Sequence, residues 1–181
     1  MAAMDRVSAE HRDLSCCKCM ALTKSGSLCL IAGANQMGLV NLNQPDKLVT
    51  KQARSSKHDV GEIQFSLGRE TLCAIASGNK VDLVDFREGG GIETLSTLKG
   101  HGNLITDLSF HEQKHSLLAT ASFDNFVYVW DTRQSPRKRP AIELSNMSST
   151  TKCCWERITG KHLATAHDGV IKIWDIGKNL V

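Results

Sequence analysis

The stretch LLATASFDNFVYVWD at residues 117–131 returns as HLATAHDGVIKIWD at 162–175, with Trp130 and Trp174 standing 44 positions apart. Each copy runs from small and apolar residues through a polar turn into a second apolar run that closes on Trp-Asp. Two weaker copies lie upstream: TLCAIASGNKVDLVD at 71–85 and SLCLIAGANQMGLVN at 27–41. With Val40, Val84, Trp130 and Trp174 taken as equivalent, the spacings are 44, 46 and 44. A period of this length marks a supersecondary unit that buries its faces only by stacking on neighbours. Four units follow, at about 15–56, 57–99, 100–146 and 147–181, preceded by an N-terminal segment 1–14 expected to be flexible or an edge strand.

Within a unit the apolar period is two. In the third, LITDLSF (104–110), LLATAS, FVYVWD and AIEL (141–144) read as consecutive strands a to d, while Gly, Asn, Asp, Lys and Pro fill the gaps as turn residues. Strands b and c carry small or apolar residues on both faces, from Leu118 to Ala121 and from Phe126 to Val129, which suits sheets packed between other sheets. No stretch sustains a 3.6-residue pattern. The expected fold is all-β, a partial β-propeller of about four blades with the last one incomplete.

The 22 Lys and Arg against 19 Asp and Glu leave a charge of +3, too small to argue for nucleic acid or an acidic membrane. No window has the length of a membrane span, and the first residues lack the apolar run of a secretory signal, so an intracellular protein is expected. The seven cysteines form an odd set inside strand-like runs and read as reduced, buried thiols rather than a disulfide framework.

The units resemble the WD-repeat family, whose repeats run from Gly-His to Trp-Asp; the third has both, as Gly100-His101 and Trp130-Asp131. The resemblance implies a hydrogen-bonded structural tetrad of His101, Thr120, Asp124 and Trp130. The chemistry of these side chains permits it, since the carboxylate accepts from the imidazole, the imidazole from the hydroxyl and the hydroxyl from the indole. In the fourth unit Asp168 and Trp174 are the equivalents, but Gly-His is missing and ATAHD is one residue shorter before the turn than ATASFD, so a full tetrad is not expected there. Units one and two lack the Trp.

From Asp59 to Asp175 the chain is similar to the N-terminal propeller of the WD-repeat, RWD-domain subunit of the SEA/GATOR complex, through DVGEIQF, VDL, TLKGH, RKRP and the two Trp-Asp stretches. That resemblance implies a non-catalytic scaffold in the regulation of TOR kinase by amino acids, with other subunits of the complex as partners. It implies a cytoplasmic location, peripheral at the lysosomal or vacuolar membrane through the complex. Because family propellers commonly have seven blades, the chain is expected to be a truncated product, a short isoform or an incomplete gene model. The alternative is a WD-repeat adaptor that recruits substrates to a ubiquitin ligase or serves another assembly.

Partner contacts in the family often fall on the rim formed by the b–c turns and the loops before strand a, which nominates Asn103, Phe123, Asn125 and His167, with Phe123 as the anchor. RQSPRKRP (133–140) gathers Arg133, Arg137, Lys138 and Arg139, a loop able to grip an acidic partner or simply a solvated connection. It has no interleaved aromatics, so nucleic-acid binding is not expected. CCKC (16–19) has the wrong spacing for paired zinc ligands, and neither a metal nor a cofactor is expected. REGGGIE (87–93) lacks the Gly-Lys-Ser/Thr of a phosphate loop and reads as a c–d hairpin. No Ser, His and Asp fall in a recognisable nucleophile setting, so no catalytic residues are assigned.

Overall fold

The computed structural model describes residues 17–33, 35–46, 48–54, 56–87, 91–134 and 139–177. Every regular element among them is a strand. The first sheet holds β1 (Cys17–Leu22), β2 (Leu28–Gly33), β3 (Gln36–Asn41) and β4 (Leu48–Ala53); the second holds β5 (Val60–Phe65), β6 (Leu72–Ser77), β7 (Lys80–Phe86) and β8 (Ile92–Lys99). The third holds β9 (Ile105–Phe110), β10 (Leu117–Ser122), β11 (Phe126–Asp131) and β12 (Ile142–Ser145). The fourth has β13 (Thr150–Trp155), β14 (His162–His167) and β15 (Val170–Asp175) among the described residues. Each sheet is an antiparallel meander whose neighbours in sequence are neighbours in space. In all four, the pairing of the first two strands slips by one residue near the start of the first strand, a repeated irregularity that bends each sheet at the same place.

The sheets stack flank to flank around a shared inner edge, with β1 beside β5, β5 beside β9 and β9 beside β13. Three apolar seams result, and together they make this a partial β-propeller. In the first, Leu30, Ala32 and Met37 meet Val60, Ile63 and Phe65. In the second, Ala74, Ala76 and Leu83 meet Leu108, Leu118 and Trp130. In the third, Ala119, Ala121 and Val129 meet Cys153, Trp155 and Leu163. Small side chains on the second strand of one sheet let the bulkier residues of the next approach closely enough to exclude water. The middle strands β6 and β10 are buried on both faces along their whole length.

Flank packing leaves amides of β9 and β13 without a ladder partner on the neighbouring side, and side chains supply one. Gln64 Oε1 accepts from Phe110 N at 2.6 Å, and Ser109 Oγ accepts from Trp155 N at 3.2 Å. Asp107 Oδ2 accepts from Cys153 N at 2.8 Å, while its other oxygen lies 3.2 Å from Lys152 Nζ. Glu62, on β5, sits 3.5 Å from the same ammonium. A bond from Thr106 Oγ1 to Thr150 O at 2.7 Å closes the upper end of the third seam.

Not all the thiols are buried. Cys73 and Cys153 lie inside the seams and Cys29 is buried as well, but Cys17 and Cys154 are exposed and Cys19 is half-buried; Cys16 lies outside the described residues. On β13 the alternation places Cys154 on the opposite face from buried Cys153 and Trp155, whereas on β1 Cys19 packs with Ala21 against the first seam.

Asp107→Ala removes the acceptor for a buried amide and the nearest partner of Lys152. It is expected to cost about 1.5–3 kcal/mol, as for a hydrogen bond to a charged group. Asp107→Asn keeps an oxygen toward Cys153 N and should lose clearly less, both read by urea denaturation.

Candidate functional site

Chemically distinctive side chains concentrate at the end of the third sheet where β10 turns into β11. His101, in the loop before β9, is buried, with its ring lying between elements. Its Nε2 is 2.7 Å from Thr120 Oγ1 and its Nδ1 is 2.9 Å from Asp124 Oδ2. Trp130 Nε1 donates to the same Thr120 oxygen at 3.0 Å. The donor order is fixed by chemistry: indole N–H to threonine oxygen, threonine O–H to imidazole Nε2, and imidazole Nδ1–H to carboxylate. The structure thus brings together His101, Thr120, Asp124 and Trp130.

Sequence and backbone prepare this cluster. Asp124 also accepts from Gly102 N at 2.8 Å and Phe126 N at 3.0 Å, so its carboxylate holds the loop before β9 onto the b–c turn. Gly100 lies against Trp130, where a Cβ would come within 3.0 Å of the indole. Tyr128 stacks on His101 at 4.3 Å and meets Trp130 edge-on at 5.7 Å. Burial pushes the His101 imidazole below its ordinary value, against the opposing pull of Asp124. For Asp124 burial pushes upward, but the Gly102 amide, His101 and Phe126 outweigh it and hold the carboxyl below the usual range.

The fourth sheet builds a related set differently. Trp174 Nε1 donates to Thr165 Oγ1 at 2.8 Å, and His167 Nε2 is 2.7 Å from that oxygen. The imidazole therefore comes from the end of β14 itself, two residues beyond the threonine, rather than from a Gly-His pair. Its Nδ1 faces Thr150 Oγ1 at 3.5 Å. This corrects the place given to His167 on the rim: it is buried, with its nitrogens turned toward threonines, and cannot serve as a surface anchor. Asp168 does not act as the equivalent of Asp124, because it lies exposed in the turn while His167 points inward.

The remaining rim candidates separate by exposure. Phe123 is 44% exposed. Asn103 is exposed, and its Oδ1 accepts from Leu104 N at 2.8 Å. Asn125 adopts φ 70° and is half-buried, its Oδ1 accepting from Ser149 Oγ at 3.3 Å, so it shapes the turn rather than reaching outward. Two residues not singled out from the sequence join Phe123: Leu104, half exposed, and Met147, fully exposed. The Phe123 N to Leu104 O bond at 3.0 Å and the Ser149 Oγ to Phe123 O bond at 3.3 Å hold their loops side by side. Apolar residues next to turn polar residues were the available signal.

In the basic loop one of the described cations is engaged internally. Arg133 forks onto Asp131, with Nε to Oδ1 at 2.9 Å and a terminal nitrogen to Oδ2 at 2.7 Å. Arg139 is exposed, while Arg137 and Lys138 lie outside the described residues. The glycine run of 87–93 connects β7 to β8, with Arg87 N bonded to Gly91 O at 2.8 Å; residues 88–90 lie outside the described residues.

His111, at the opposite end of β9, was not anticipated. It is buried, its Nε2 donates to Gly160 O at 3.0 Å, and its Nδ1 accepts from Gln113 N at 3.1 Å and Lys114 N at 3.0 Å. Only a neutral ring with its proton on Nε2 can make all three bonds, and burial lowers its pKa.

The WD domain, G-beta repeat profile matches residues 92–131 and 151–175. The chain carries WD repeats. It is similar to the GATOR2 complex protein Wdr59 of Drosophila melanogaster, 37% identical over 173 residues that make up 93% of this chain and 17% of that protein. Against the human GATOR2 complex protein WDR59 the identity is 32% over 174 residues, covering 94% of this chain and 17% of the relative. The maintenance of telomere capping protein 5 of Saccharomyces cerevisiae is 38% identical over 162 residues, 88% of this chain and 14% of its own length. The chain thus spans about a sixth of the length of these relatives. No helix among the described residues is long and apolar enough to cross a membrane.

Thr120→Val keeps the shape but strands a buried indole N–H and a buried imidazole nitrogen, and should destabilise by about 2–4 kcal/mol. Thr165→Val should cost less, because Trp174 is only half-buried. The lowered values of His101 and His111 mean that the unfolded chain binds protons more readily than the folded one. Their contribution is complete above about pH 6.5 and is lost as pH falls from there through the folded values. His111→Gln should make the loss of stability on acidification shallower, as measured by thermal unfolding at a series of pH values.

Proposed function

We propose that this chain acts as a non-catalytic scaffold module in a GATOR2 or SEA-type complex that regulates TOR kinase signalling in response to amino acids, and works at the lysosomal or vacuolar surface through that complex. The observation that carries the reading is the similarity along nearly the whole chain to proteins named for GATOR2. The chemistry of the strongest polar cluster supports it. Both imidazole nitrogens of His101 are used within the protein, and the Thr120 hydroxyl lies between two internal partners. The same groups that look reactive in the sequence are consumed in holding a blade together. The tetrad is structural in this reading, and the rim around Phe123, Leu104 and Asn103 faces another subunit.

Phe123 suits an anchor because its loop is fixed from beneath by Asp124 while its ring remains accessible. A preorganised aromatic loses little entropy when a partner covers it. Affinity purification of the tagged chain is expected to recover other GATOR2 subunits. Recovery of cullin components in their place would favour the ubiquitin-ligase adaptor instead. Phe123→Asp should reduce subunit recovery about tenfold or more, with no fall in melting temperature because the ring is not part of a seam.

A further inference from the structure

A cleft of about 390 Å³ opens at the rim of the second sheet, lined among others by Lys57, His58, Lys80, Asp82 and Lys99. It is built by the loop before β5, the turn between β6 and β7, and the end of β8. These positions match, one sheet earlier, the elements that carry His101 and Phe123. Asn79, in the same turn, donates to His101 O at 3.0 Å and ties the cleft wall to the third sheet.

The charges in this cleft are unbalanced. Lys80 and Lys99 are direct partners in the β7–β8 register, and like charges facing each other across a strand pair destabilise it. Among the described residues Lys57, Lys80 and Lys99 enter no ion pair. Asp82, the carboxylate in the lining, does not relieve them. It receives Thr97 Oγ1 at 2.7 Å and faces the buried Arg54 guanidinium at 3.9 Å, so its charge is met from behind. The nearby Asp59 is held by Lys18.

The wall around these cations is fixed. Ser77 Oγ donates to His58 O at 2.9 Å and lies 2.8 Å from Ser56 Oγ. Gly78, at φ +61°, lies under the His58 ring, where a Cβ would come within 2.8 Å. With Ser56, Ser77 and Thr97 bonded internally, no convergent set of fixed donors is left to cradle one phosphate. The available groups are three separate ammonium charges on long, adaptable stems. They match separate carboxylates along an extended chain better than one compact dianion.

We propose that this cleft docks an acidic segment of a partner protein, a run of Asp and Glu side chains that neutralises Lys57, Lys80 and Lys99. The proposal rests on the scaffold reading only in taking this rim as the side that faces other proteins. It places a second, electrostatic contact one blade away from the apolar contact at Phe123. Partner carboxylates would remove the repulsion between Lys80 and Lys99, so binding and local stability are coupled.

The test is fluorescence anisotropy of the full chain with a labelled peptide of alternating Asp and Glu, beside its Asn and Gln counterpart and a phosphoserine peptide. The acidic peptide is expected to bind and the neutral one not. Affinity should fall by about twofold to fivefold for each of Lys80→Gln and Lys99→Gln, as for exposed ion pairs, and should fall as salt is raised. The melting temperature of Lys99→Gln should hold or rise, which separates loss of binding from loss of fold. Unchanged binding in the double variant, equal binding of the neutral peptide, or binding of the phosphoserine peptide alone would overturn the proposal. The titration needs no other subunit. Its failure with GATOR2 subunits still recovered discards the cleft alone, whereas failure of subunit recovery leaves acidic-peptide binding standing or falling on the titration.

Discussion

The constraint on which the rest depends is that neighbouring sheets meet by their flanks. Such contacts contribute burial but no ladder, so the inward strands carry amides that the adjacent backbone cannot satisfy. Leaving a buried N–H unpaired costs as much as the burial of a small side chain returns. Gln64, Asp107 and Ser109 meet this demand by reaching from one sheet to the next. The register makes Glu62, Asp107 and Lys152 equivalent positions on β5, β9 and β13. Lys152, opposite in sign to the other two, pairs with both acids across the inner edge. A repeat protein built from four unlike copies is held in register by such position-specific bonds as much as by its apolar seams.

The same logic explains why the copies diverge. By register, Thr120 and Thr165 occupy the place of Ile31 and Ile75 in the first two sheets, and Trp130 and Trp174 that of Val40 and Val84. Threonine is present where the indole is present, and both are replaced together by β-branched aliphatics where it is not. A half-satisfied polar network in low dielectric is worse than either a complete one or none. The first two blades take the apolar solution and the last two the hydrogen-bonded one. Within the hydrogen-bonded pair the imidazole arrives by different routes, from the preceding loop in one case and from the strand end in the other.

This divergence sets what the sequence could reveal. Strand positions were legible because they rest on local alternation and turn residues, and the period between Trp130 and Trp174 was enough to set the sheets. His101, Thr120, Asp124 and Trp130 could be grouped because their spacing resembles a known pattern. His167 could not be placed, because its role depends on a substitution across space: it replaces a histidine missing from a loop, while its position in the chain resembles a turn. His111 was hidden for the same reason, since its partner Gly160 lies 49 residues away. The basic loop is the reverse case: a dense run of charge is conspicuous in sequence, and only the fold shows Arg133 engaged with Asp131. Lys57, Lys80 and Lys99 are dispersed over three elements and form a cluster only after the sheet is folded.

The rim thus divides into two surfaces of different character on adjacent blades. Around Phe123, exposed apolar residues sit on loops fastened by Asp124 and Asn125, a place where contact gains energy by excluding water. Around Lys80 and Lys99 there is little apolar surface to bury, and the unbalanced charge acts at longer range. Electrostatic attraction orients an approaching partner and raises its encounter rate, while buried aromatic contact slows its departure. Neither surface needs the protein to move, because the hydrogen bonds beneath both are already made. For the proposed scaffold this is the useful arrangement: the apolar seams use other side chains than the rim, so partners can be exchanged without loosening the seams, and only the Lys80–Lys99 pair links binding to the local stability of its strand pair.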